Sequence, residues 1–99
     1  MSTTPVTVIA TLKAKPGQEE ALRRELLALI PITRQEQGCI NYDLHQSKED
    51  PAVFVFHENW SSQAALEAHS VNTHLAAFQE KADALLAVPP ELACYQRIG

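Results

Sequence analysis

The sequence predicts an α+β domain whose elements run β-α-β-β-α-β. Three observations carry this. Four short stretches alternate apolar and polar residues with the period of two of a strand. After the first and the third of them, apolar residues recur at helical spacing. Turn residues (Pro16-Gly17, Gly38, Ser47 to Pro51, Pro89-Pro90) fall at the joints. The 99 residues make one domain, 1–99. A chain this short buries only about two-thirds of the surface its unfolded form exposes, so its core is thin.

Val6 to Leu12 reads as the first strand. Val6, Val8, Ala10 and Leu12 share one face; Thr7, Ile9 and Thr11 share the other. Gln18 to Gln37 reads as a helix, with Leu22, Leu26 and Leu29 in a stripe beside Ile30 and Thr33, and Glu19 and Glu20 where the helix dipole favours anions. Pro31 lacks an N–H and its ring crowds the preceding turn, so a kink or break is expected there. Gly38 is the expected end cap. Cys39 to Gln46 is the second strand, with Ile40, Tyr42 and Leu44 on an apolar side and Cys39, Asn41, Asp43 and His45 on a polar one. A single polar side suits an edge strand or a surface lining a pocket. Ala52 to Trp60 is the third strand: Val53 and Val55 point one way, Phe54, Phe56, Glu58 and Trp60 the other. Apolar residues on both faces predict a central position. Ser61 or Ser62 caps a helix through Ala65, Leu66 and His69. Ser70 to Thr73 interrupts it, and Leu75, Phe78, Ala82 and Leu85 form a new stripe. Glu91 to Ile98 is the fourth strand, with Leu92, Cys94 and Ile98 on one face.

This order is satisfied by a ferredoxin-like arrangement: a four-stranded antiparallel sheet with both helical segments on one face. The other face then leaves Thr7, Ile9, Val53 and Val55 in water, an apolar patch that marks an interaction surface. Two such sheets packed together give a homodimer with a barrel-like core.

Composition removes several classes of function. Eight basic against 12 acidic residues give a net charge of −4, and no basic cluster exceeds Arg23-Arg24, so no nucleic-acid partner is expected. No apolar run approaches membrane-spanning length, so no membrane partner is expected either. The start, Met-Ser-Thr-Thr-Pro-Val, has no signal-peptide pattern, and a cytoplasmic location is the expectation. Cys39 and Cys94 have no metal spacing and are expected to be reduced packing residues.

The segment Gln35-Glu36-Gln37-Gly38-Cys39-Ile40-Asn41-Tyr42-Asp43-Leu44-His45 resembles the E-x-G-C-x-x-Y-x-L segment of antibiotic biosynthesis monooxygenase (ABM) proteins. Phe54-Val55-Phe56-His57-Glu58-Asn59-Trp60 is similar to that family's F-x-x-x-E-x-W, and His69 to His74 followed by Phe78 to its H-x-x-x-x-H-x-x-x-F. Ala14-Lys15-Pro16-Gly17 also fits, and the match runs in one order from Val6 to Ile98. The resemblance implies a dimeric α+β barrel with a pocket between helices and sheet. In several members it implies oxygenation of a small aromatic quinol or polyphenol by dioxygen with no metal and no flavin. Relatives of this fold degrade haem or isomerise signalling metabolites, and fold alone does not set function.

Cofactorless oxygenation requires a base, a dry cavity and donors for the oxyanion and peroxide that form. His74, four residues before Phe78 on a helix, is the first candidate base, and its ring is expected to face the sheet. His69 is a second pocket candidate. Five residues of unbroken helix turn about 500°, which separates the two rings; the interruption leaves the direction of His69 open. The spacing also misses the i, i+4 pattern of a helical two-histidine metal site, so no metal is expected from the pair. Trp60 can wall a pocket and donate one hydrogen bond. Glu58 is either a desolvated acid with a raised pKa or the partner of a cation such as Arg34 or Arg97, and the ion pair is the stronger expectation. Tyr42, Phe56 and Phe78 are candidate substrate contacts, Tyr42 being first a core residue with its hydroxyl satisfied. His45 and His57 are assigned no chemistry. Two other functions fit the same elements: an isomerase or proton-transfer enzyme on a small polyoxygenated metabolite, and a dimeric ligand-binding or stress module without turnover.

Overall fold

The computed structural model describes residues 4–99; the reading of the N-terminal segment rests in part on residues 1–3, outside the described residues. Strand β1 is Val6–Lys13, helix α1 Glu19–Arg34, β2 Cys39–Gln46, β3 Val53–Trp60, α2 Gln63–Ser70, α3 Thr73–Leu85 and β4 Glu91–Tyr95. The strands form one antiparallel sheet in the order β2-β3-β1-β4, the ferredoxin-like arrangement, with β3 and β1 central. Helix α1 lies across β2, α2 reaches β3, and α3 packs on α1. All three helices therefore cover the β2 side of one face more fully than the β4 side.

The core forms where the predicted stripes meet. Leu22, Leu26, Leu29 and Thr33 of α1 are buried against Val8, Ala10, Leu12, Phe54, Phe56 and Trp60 of the sheet. Pro16 and Gly17 make the turn after β1: Gln18 N–H donates to the Lys15 carbonyl at 2.9 Å, and Gly17 takes the positive φ (86°) that this turn demands of its third residue. The Ser62 hydroxyl caps α2, accepting from Ala65 N–H at 3.1 Å.

Several local expectations are corrected. Helix α1 neither breaks at Pro31 nor reaches Gln37; it runs through the proline and ends at Arg34. Pro31 is exposed, so the carbonyl that loses its donor is turned toward water and the cost is tolerable. Gly38 does not cap α1. It sits in the turn into β2 at φ 88°, where a β-carbon would lie 2.4 Å from the Ala65 Cβ. Ile40 does not share the face of Tyr42. In β2, Cys39 pairs with Trp60 but Asn41 pairs with Asn59, so Ile40 is an extra, bulged residue. A one-residue bulge reverses which face the preceding side chains use. Cys39 therefore joins the helix side while Ile40 stands 59% exposed. Strand β4 ends at Tyr95; Ile98 lies beyond it, 97% exposed. Leu92 and Cys94 do pair with Ala10 and Val8, but both are exposed, so Cys94 is not a packing cysteine.

The face away from the helices carries Thr7 and Ile9 of β1 and Val53 and Val55 of β3, none of them fully buried. Beside this apolar half lies a polar one. Asn59 donates to Asn41 at 2.7 Å, Asn41 donates to Asp43 at 3.0 Å, and Arg34 closes the row on Asp43 at 3.1 Å. Among the described residues no helix is long and apolar enough to cross a membrane.

Candidate active site

A cavity of about 330 Å³ lies between the helices and the sheet. Ala10, the smallest side chain on that face of β1, helps form its floor with Val8 and Leu12, and Phe56 and Glu58 continue the floor on β3. Tyr42, Phe78, Leu26 and Leu29 add apolar wall, and the exposed Leu92 stands on the uncovered β4 side. Three buried polar side chains reach this space: Tyr42, Glu58 and His69. Gln63, Glu67, Ser70 and Gln79 also line it, but they are exposed and form its rim.

Glu58 is 4% exposed and, among the described residues, has no cationic partner. Arg34, one of its expected partners, is taken by Asp43 and the Tyr42 carbonyl; Arg97 donates to the Gly99 carbonyl. The expected ion pair is thus replaced by desolvation. The Trp60 indole N–H donates to Glu58 Oε1 at 2.9 Å, because residues two apart on a strand share a face. Burial raises the Glu58 carboxyl to about 7, against the lowering effect of the Trp60 hydrogen bond and with a smaller push from Glu36. Tyr42 stacks on Phe56 with centroids 4.4 Å apart. Burial first, then the nearby Glu58 charge, pushes its phenol well above the usual range.

His69, in the last turn of α2, is 5% exposed and lies 4.4 Å, ring to ring, from Trp60. Its Nδ1 is 2.9 Å from Glu36 Oε2. A carboxylate only accepts, so the proton of the neutral ring belongs on Nδ1 and Nε2 keeps its lone pair. Burial lowers the His69 pKa, the Glu36 contact opposes this, and the ring is neutral near pH 7. His74 stands elsewhere than expected. Its ring turns toward the end of α1 and not into the cavity: Nε2 is 2.8 Å from the same Glu36 oxygen and 3.0 Å from Thr33 Oγ1. Trp60 too stands behind the cavity wall, fully buried.

The separation of the two histidines assumed for a continuous helix does not hold. The chain breaks at Val71 and Asn72, where Asn72 is extended, and α3 restarts in a direction that returns His74 toward His69. The ring centroids are 6.2 Å apart. Glu36 joins them from the turn after α1, its N–H donating to the Thr33 carbonyl at 3.0 Å and its carbonyl accepting from Cys39 N–H at 3.2 Å. Glu36 and Thr33 were not singled out by sequence reasoning. Glu36 is, however, the first letter of the E-x-G-C segment, and Thr33 was visible as a polar residue inside an apolar helix stripe.

The family model for antibiotic biosynthesis monooxygenase matches residues 5–81. A Synechocystis protein named "Uncharacterized protein sll1783" is 33% identical over 92 residues, 93% of this chain; the chain spans 63% of that relative's length. The Escherichia coli K12 protein named "Probable quinol monooxygenase YgiN" is 32% identical over 85 residues, covering 76% of this chain and 82% of its own. The crystal structure of PA3566 from Pseudomonas aeruginosa superposes with a TM-score of 0.93 at 41% identity, over 100% of this chain and 99% of that one. An ABM match over most of the chain, a four-stranded sheet of matching fold and this level of identity have one consequence: the chain belongs to the antibiotic biosynthesis monooxygenase family.

Proposed function

We propose that this chain is a monooxygenase that oxidises a small aromatic quinol or polyphenol with dioxygen, without metal or flavin, in the cavity between helices and sheet, and that it works as a homodimer. The observation that carries the reading is a mostly apolar cavity of about 330 Å³ reached by one oriented imidazole and one buried carboxyl. It is supported by the quinol monooxygenase name of the E. coli relative.

His69 Nε2 takes the phenolic proton, and Glu36 holds the imidazolium that forms. The phenolate passes an electron to dioxygen, and the two radicals combine at a ring C–H ortho or para to the oxygen. The hydroperoxide loses water, leaving a second ring carbonyl. One oxygen atom stays on the ring, and the other leaves as water with the two hydrogens of the former O–H and C–H. Glu58, poised near neutrality, is the acid for the departing hydroxide, and Trp60 fixes its orientation. Tyr42, Phe56 and Phe78 supply the surface on which an aromatic ring packs. An isomerase for a polyoxygenated metabolite needs several buried groups for hydroxyls, whereas here the remaining polar residues are confined to the exposed rim.

Oxygen uptake with a panel of substituted hydroquinones, against anaerobic controls, tests this. His69→Ala is expected to lower turnover by about 10²–10⁴-fold. Absence of chain-dependent uptake across a broad panel, or a purified chain with the visible spectrum of flavin or haem, sinks the reading.

A further inference from the structure

Glu36, His69 and His74 come from three segments, and their donor atoms all lie within 4.8 Å of one another. The three side chains are 11%, 6% and 10% exposed. One carboxylate oxygen takes two imidazole nitrogens at once, at 2.9 Å from His69 Nδ1 and 2.8 Å from His74 Nε2. Two N–H protons are thereby directed at a single point. A tetrahedral zinc ion with bonds of about 2.0–2.1 Å holds its ligands about 3.3 Å apart. The two short separations must open by about half an ångström from their present values, and one ion then does the work of both protons. The Thr33 hydroxyl, 3.0 Å from His74 Nε2, stands ready as a further oxygen donor or as a hydrogen-bond partner for a ligand.

We propose that Glu36, His69 and His74 bind one divalent transition-metal ion of the zinc class, behind the cavity wall, and that its binding silences His69 as a base. The donor set is two imidazoles and a carboxylate, which suits zinc, cobalt or nickel and not the hard, oxygen-seeking magnesium or calcium. The second half rests on the function proposed above. A metal on Nδ1 leaves the ring's proton on Nε2, so the nitrogen that should accept a substrate proton already carries one. The site is therefore inhibitory and supplies no chemistry to the oxygenation.

The test uses the full chain, stripped with a chelator, and zinc or cobalt(II) chloride as the probe. Calorimetry is expected to give one zinc per chain, and cobalt the visible bands of a low-coordinate site. Glu36→Gln and His74→Ala are each expected to weaken zinc binding by more than about 100-fold, beyond the effect of an outer-shell change. His45→Ala, on the exposed end of β2, is the control that keeps it. Nitrogen-15 histidine spectra of the unmutated chain decide the case even if a variant fails to fold: zinc must shift His69 Nδ1 and His74 Nε2. No stoichiometric binding, or shifts confined to His45 and His57, overturns the site. Oxygen uptake that persists at saturating zinc overturns the silencing. If no hydroquinone supports uptake at all, the monooxygenase reading fails, while calorimetry and the nitrogen spectra still judge the metal site.

Discussion

A carboxyl group on the floor of an apolar cavity is costly to ionise, and Glu58 shows the consequence for stability. Its folded value of about 7 lies above the ordinary 4.5, so the folded state holds a proton that the unfolded state has released across that window. The stabilisation is complete below about pH 4.5 and is lost as pH rises toward 7; the shift corresponds to at most about 3 kcal/mol. His69 acts in the opposite sense, since its lowered pKa makes acidification costly. Comparison with Glu58→Gln isolates the carboxyl. The unmutated chain should lose stability relative to Glu58→Gln between pH 5 and 7.5, followed by urea denaturation at each pH; parallel curves would refute a buried, high-pKa Glu58. Trp60→Phe removes the donor that lowers the Glu58 pKa. A carbon-13 titration of the carboxyl should then move upward. Candidate residues were legible because their types are rare in such places: a carboxylate on an aromatic strand face and histidines flanking a helix break. Their partners were not, because the Glu36 contact spans 33 residues to His69 and depends on how α1 and α2 dock.

At the scale of elements, the two described turn glycines with positive φ separate two reasons for glycine. A β-carbon at Gly17 would meet nothing within 4 Å, so Gly17→Ala costs only the backbone penalty, about 1 kcal/mol. At Gly38 a β-carbon would meet Ala65 at 2.4 Å and Ser61 at 2.8 Å, so α2 must move; Gly38→Ala should cost roughly 2–4 kcal/mol by thermal or urea unfolding. Equal costs at the two sites would show that α2 does not press on this turn. Pro31→Ala restores a helix donor on an exposed face and should raise stability by about 1–3 kcal/mol, measured the same way. The periodicity of α1 was readable through the proline, yet its end was not. The helix stops where Thr33 and Glu36 enter the cluster with His74, a tertiary cause invisible to a window of local sequence.

At the scale of the molecule, the outer face of the sheet combines Ile9, Val53 and Val55 with the row of Asn41, Asp43, His57 and Asn59. A homodimer that shields this face is expected to sediment at twice the chain mass of 10.9 kDa. Ile9→Asp, which places a charge in the apolar half, should yield monomer without loss of the far-ultraviolet dichroism. Sedimentation of the unmutated chain as a monomer at micromolar concentration would remove the dimer from the proposal.

Element order, the central place of the third strand and the apolar stripes were determined by sequence alone, because alternation and helical spacing are local properties of the chain. So was the shared sheet face of Phe56, Glu58 and Trp60, since strand parity assigns a face residue by residue. Only the tertiary structure decided that β2 bulges at Ile40, that Glu58 finds an indole and not a guanidinium, and that His74 turns back to meet His69 at Glu36. The bulge and the return of His74 depend on contacts between segments distant in sequence, whose geometry is settled by docking and leaves no periodic trace in the chain; Glu58 meets its strand neighbour Trp60 because Arg34 is held instead by Asp43.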